Sequence, residues 1–173
     1  MTEPALLSYR EGEHAFVADA RDYPLLVVRW FGESTETSVR RYFQWLDGMY
    51  ARAKAERTQL VSINDSRLAK RPPPTVRKVT AELIDASSLA ADEYALPTLL
   101  VLDSALIRGA VTAMRWLSLA KWNVETVANM PDAIARAFEL LRSVGVTPPA
   151  GVDPQVYRDL QMPTTEGETA VTG

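Results

Sequence analysis

Few residues in this chain are equipped for chemistry, and their types restrict what that chemistry could be. Histidine occurs once, at His14, and cysteine does not occur. Thiolate nucleophiles, disulfides, iron–sulfur clusters and zinc sites needing two Cys or His ligands from one chain are thereby excluded. A serine hydrolase would have to use His14 as its base, and no G-x-S-x-G turn carries a nucleophile. The eight glycines include no phosphate-cradling G-x-x-x-x-G-K or G-x-G-x-x-G spacing. Asp65, Asp103 and Glu125 lie near the ends of expected strands. An oxygen-ligated metal site or an acid–base pair would have to draw on them, and no D-x-D-x-D run supports one. The sequence therefore leads us to expect no cofactor and no catalytic centre, with His14 on the surface.

What remains is charge and aromatic surface. The formal net charge is -3, but residues 37–82 carry +6 between flanks of -4 (residues 1–36) and -5 (residues 83–173). The segment "DSRLAKRPPPTVRK" places Arg67, Lys70, Arg71, Arg77 and Lys78 within twelve positions. Pro72 to Pro74 stiffen it and bar it from a strand or helix interior. It reads either as a basic lip for an acidic partner, a phosphate-bearing ligand or an anionic surface, or as a solvated linker. Base stacking needs aromatics among the cations, and none lies between Tyr50 and Tyr94, which argues against nucleic acid. "ALIRGAVTAMRWLSLAKW" carries Arg108, Arg115, Trp116, Lys121 and Trp122, and a Trp with two Arg on one helix are types enriched at interface hot spots. They read equally as a core-edge Trp with solvated cations. Arg29, in an apolar strand, needs an acidic partner such as Asp103 or Glu125 or an opening to water, because a lone buried charge is expensive, and otherwise reads as a ligand-binding arginine. Val156, Tyr157 and Leu160 could anchor the tail on a partner or on the domain itself.

The elements that must position these residues are legible from periodicity. Residues 14–20 and 24–32 read as an antiparallel hairpin, the second strand being apolar enough to lie covered on both faces. Val39, Tyr42, Phe43, Leu46, Met49, Tyr50 and Ala53 repeat at helical spacing behind a Ser34 or Thr35 cap, with Trp45 at the edge of that face. A strand at 59–65 precedes the proline loop. A helix then starts near Pro74 and buries Val76, Val79, Leu83, Ala86 and Ala90. A strand at 97–102 follows, then a helix at 105–119 burying Leu106, Ala110, Met114 and Leu117. A strand at 123–128 and a helix at 130–144 capped by Asn129 complete the series. The expectation is a single α/β domain of order β-β-α-β-α-β-α-β-α. Its sheet would be mixed but mostly parallel, with a leading antiparallel hairpin and helices packed on it. Residues 1–13 read as an N-terminal extension and 14–146 as the domain. Residues 147–173 read as a Pro-rich, partly disordered tail with a short helix over 153–161. Met1 to Tyr9 is no secretory signal, and Pro24 to Val28 is far short of the roughly 20 apolar residues of a membrane span. A cytoplasmic location is the expectation.

This order resembles a STAS-like domain, the class named for sulfate transporters and anti-sigma-factor antagonists. The residues that carry the likeness are "LVVRWFGESTETSV" leading into the first helix and "VETVANMPDAIARAFELL" at the last strand, cap and helix. The resemblance implies regulation through protein partners, of the bacterial signalling type, without catalysis. It also implies a serine in an Asp-Ser-Ser-Gly run as phosphoacceptor. That slot reads "KRPPPT" here, leaving only Thr75. Some similar domains cradle lipids between helix and sheet. Two functions follow. One is a regulatory or adaptor protein binding an acidic partner surface, or a second copy, through Arg67, Lys70, Arg71, Arg108, Arg115 and Trp116. The other is a carrier or sensor of a lipid-like or small apolar ligand, which requires a cavity lined by residues such as Trp30, Phe43 and Met114.

Overall fold

A computed structural model describes residues 3–91, 93–103, 105–117, 119 and 123–172. Seven strands, β1 (Leu6–Glu11), β2 (His14–Asp19), β3 (Leu25–Gly32), β4 (Val61–Ala69), β5 (Thr98–Val101), β6 (Val124–Val127) and β7 (Gly167–Val171), form one sheet. Its spatial order is β6-β5-β4-β3-β2-β1-β7. The β3–β6 portion is parallel and the β3-β2-β1-β7 portion antiparallel. Four helices complete the fold: α1 (Glu36–Glu56), α2 (Pro74–Ala91), α3 (Ala105–Leu117) and α4 (Met130–Ser143).

Side-chain alternation along the strands builds two cores. Leu26, Val28 and Trp30 of β3 face α1 and α2, while Leu25, Val27 and Phe31 face α4 and the tail. A third cluster joins Leu100 and Leu102 to Ile107, Val111 and Met114 of α3. The expected hairpin, the alternating α and β units and the Asn129 cap are present, Asn129 accepting from the Asp132 N–H at 2.9 Å. At the start of α1 the Thr35 hydroxyl accepts from the Ser38 N–H at 3.2 Å and the Thr35 N–H donates to the Ser38 hydroxyl at 3.1 Å.

The ends of the chain differ from expectation. Residues 6–11, read as an extension, form β1 along β2, and residues 167–171, read as disordered, pair antiparallel with β1. The expected 153–161 helix is only a 3-10 turn, Pro154–Val156. Leu160 is buried against the α4 face, Arg158 reaches Asp19 and Asp22 at 2.9 and 2.8 Å, and Arg41 holds Glu168 at 2.5 Å. Tertiary partners supply order that a polar, proline-rich composition does not announce.

These ends explain two further corrections. Trp45 is fully buried, its indole N–H donating to the Pro4 carbonyl at 3.0 Å, because the N-terminal segment crosses over it. His14 is 4% exposed, with Nδ1 2.8 Å from the Phe31 carbonyl and its ring stacked on Trp30. Helix phases also shift. On α2, Ile84 and Ser87 are buried and Ala86 is exposed. On α3, Ile107 and Val111 join Ala110 and Met114, while Leu117 turns outward. The side chains of Ala90 and Leu106 lie outside the described residues.

Candidate functional site

A cavity of about 860 Å³ lies between the sheet and the helices α1–α3. Trp30 of β3, Phe43 of α1 and Met114 of α3 all line it, as a site for an apolar ligand requires. Val76 and Ile84 of α2, Leu100 of β5 and Ile107 and Val111 of α3 extend the apolar wall. Thr98 and Asn123 line one end, and Ser34, Lys70 and Pro72 the other. Thr98 is level with Ser62, one step before the Ile63–Leu99 pair. From there to Lys70 the wall runs roughly 25 Å at a strand rise of about 3.3 Å per residue.

Local sequence creates this space. Ser62 and Asn64 of β4 point to the cavity side, whereas Val61 and Ile63 point to the α4 side. Asn64 accepts from the Trp30 indole N–H at 3.1 Å and donates towards Ser62 at 3.3 Å and the Tyr42 hydroxyl at 3.5 Å. Asn64 is thus satisfied internally, and most of the lining residues around it are apolar, with Ser66, Thr80, Ser87, Thr98 and Asn123 interspersed. Burial raises the Tyr42 pKa, the Asn64 and Ser62 contacts opposing only in part, so the phenol stays protonated. "VSIND" carried this signal as polar residues at alternate positions beside apolar ones.

The basic segment is divided by the fold. Strand β4 continues to Ala69, past the expected end at residue 65. Arg67 therefore sits on a strand and grips Asp65 through two contacts of 2.9 Å. Lys70 stands at the cavity mouth, its ammonium 3.5 Å from the Glu13 carboxylate. Arg71, Thr75 and Lys78 are exposed, and Arg77 donates to the Pro72 carbonyl at 3.3 Å. On α3, Arg108 is exposed and Trp116 is 84% exposed, close in sequence to Leu119 at 95%. Lys121 and Trp122 lie outside the described residues, as do the side chains of Arg115 and Val156.

The carboxylates do not gather into a catalytic pair. Asp65 binds Arg29, Nε to Oδ2 3.2 Å, as well as Arg67. Arg29 also holds Asp159 and donates to the Leu160 carbonyl at 3.0 Å, so Asp103 and Glu125 are not its partners. Glu125 instead pairs with Arg136 at 2.8 Å, and Asp103 is exposed. Among the described residues no group of three or more His, Asp or Glu is placed to hold a metal ion. Tyr157 and Leu160 pack on the α4 side of the sheet, so this part of the tail anchors on the domain itself. No helix is long and apolar enough to cross a membrane among the described residues.

No family model matches the chain, and no curated protein does. One solved structure similar to it is an uncharacterized protein of the DUF3478 family with a SpoIIAA-like fold from Shewanella loihica PV-4. That likeness covers 79% of this chain and 95% of the other at 12% identity, with a TM-score of 0.47.

Proposed function

We propose that the protein is a non-catalytic binding protein that takes up a small, largely apolar ligand between α1–α3 and the sheet. The cavity of about 860 Å³ carries this reading, since its size lies within the range of about 300–1,000 Å³ typical of ligand sites. Protein interiors are ordinarily close-packed, and apolar walls without a neighbour forgo dispersion contacts that an occupant restores. The absence of catalysis is supported by where the charges go: Asp65 is committed to Arg29 and Arg67, and Glu125 to Arg136. The test is native mass spectrometry of the purified protein, with uptake of the neutral fluorophore N-phenyl-1-naphthylamine after delipidation. A retained organic mass lost on denaturation, or saturable uptake of the fluorophore, is expected. Neither retention nor uptake would overturn the reading.

A second reading, a regulatory or adaptor protein acting through protein contacts, is favoured by one observation. Trp116, Leu117 and Leu119 expose apolar surface on and just after α3, a helix that also exposes Arg108. Pull-down from native lysate with the Lys70→Glu/Arg71→Glu and Trp116→Ala variants tests it. A partner captured equally by all forms would remove these residues from the interface.

A further inference from the structure

The cavity is chemically lopsided. Among its described lining residues Lys70 alone carries a charge, and it stands at the end where β3 and β4 finish. Its backbone N–H is held by the Gly32 carbonyl at 2.8 Å, which fixes the root of the side chain at the rim. The ammonium is free to reorient: two-thirds of the side chain is exposed, and the Glu13 carboxylate opposite is 93% exposed. An exposed pair of this kind, at 3.5 Å, is worth little and is readily exchanged. The wall beside it is built from Pro72 and Val76, which flank the start of α2. Pro73, whose carbonyl receives the Arg77 N–H at 3.0 Å, offers no side-chain oxygen to the first turn, and that turn holds no acid. The helix dipole adds to the positive potential of the rim. Deeper inside, Asn64 is occupied by Trp30, Tyr42 and Ser62, and the other polar lining residues, Thr98 and Asn123 among them, are uncharged.

From this we infer that the occupant is a long-chain amphiphile with one carboxylate. Its apolar chain lies along β4 beneath the helices, and its carboxylate sits at Lys70 in place of Glu13. The inference rests on the ligand-binding reading above and adds the headgroup. A phosphate headgroup is disfavoured because no arginine fork is among the described lining residues, whereas one lysine matches one carboxylate charge.

Displacement of N-phenyl-1-naphthylamine from delipidated protein at pH 7.5, by myristate and by myristyl alcohol below their aggregation limits, tests the proposal. Myristate should bind about threefold more tightly than the alcohol, as a pair at a partly exposed ammonium implies. Lys70→Met, which keeps an apolar stem, should bring myristate to the affinity of the alcohol and leave the alcohol unchanged. Glu13→Gln should strengthen myristate alone. Equal affinities in the unaltered protein, or a carboxylate preference that survives Lys70→Met, would overturn the headgroup assignment while leaving the cavity reading intact. A protein that takes up no fluorophore would overturn both. Thermal melts of each variant confirm that binding is read on folded protein.

Discussion

Arg29 of β3 and Asp65 of β4 are register partners on adjacent parallel strands, with Nε 3.2 Å from Oδ2. Asp65 is buried, and Arg67, two residues further along its own strand, holds the carboxylate from the other side. The arrangement is unequal: Asp65 has two guanidinium partners within this group, whereas Arg29 also reaches Asp159 and the Leu160 carbonyl. Asp65→Ala removes a carboxylate shared by two guanidinium groups, of which Arg29 keeps Asp159 and Arg67 is partly exposed, and should cost about 1–3 kcal/mol. Arg29→Met leaves Asp65 paired with Arg67 and should cost markedly less. Urea unfolding of the two variants checks the order, and equal losses would contradict it.

His14 should make stability depend on pH in a defined window. Burial lowers its pKa below the ordinary 6.5, and the Phe31 carbonyl and Glu11 oppose this only in part. The unfolded chain therefore binds the proton first as pH falls. Stability is full above about pH 6.5 and declines below it, until the folded-state pKa is also passed. Melting temperatures between pH 7.5 and 5.5 should fall for the unaltered protein and remain flatter for His14→Gln. Parallel curves would show that other groups govern the window.

Gly32 ends β3 with φ of +66°, and a Cβ there would collide with the Glu13 carbonyl, which belongs to backbone and cannot step aside. Gly32→Ala should cost at least about 2 kcal/mol by chemical denaturation. Gly12→Ala, also at positive φ but with open space around the new methyl, isolates the backbone contribution and should cost less.

Filling the cavity should separate binding from folding. Ala110 of α3 is buried and lines the space, so Ala110→Phe places a ring where a ligand would lie. Fluorophore uptake should drop at least about tenfold while the melting temperature holds or rises, because the ring supplies missing contacts. Unchanged uptake would place the ligand elsewhere.

Trp45 reports on the N-terminal segment. Its ring is fully buried and its indole N–H is satisfied by Pro4. Trp45→Ala should cost about 3–5 kcal/mol, as large cavities in aromatic cores do. A cost under about 1 kcal/mol would mean that the segment does not cover the ring.

Local pattern alone carried much of the architecture. The apolar run from Leu25 requires a strand covered on both faces, and the spacing from Val39 to Ala53 requires a helix against it. Asn129 with Pro131 and Asp132 marks a helix start whatever lies around it, because caps and periodicity are set by nearest neighbours in sequence. Even the lining set Trp30, Phe43 and Met114 was accessible, since each sits on the inward face of its own element. Tertiary structure decided what distant segments do to one another. Exposed residues 167–171 become a strand because β1 offers an open edge, and the segment before β1 covers Trp45 through Pro4. Asp65 rather than Asp103 or Glu125 receives Arg29 because parallel register sets them side by side, and register is a relation between strands. The cavity likewise belongs to no single element. It exists because three helices stand off a sheet whose floor residues Ser62, Asn64 and Trp30 satisfy one another; "VSIND" sets the polar alternation locally, but the stand-off of the helices follows from no one segment.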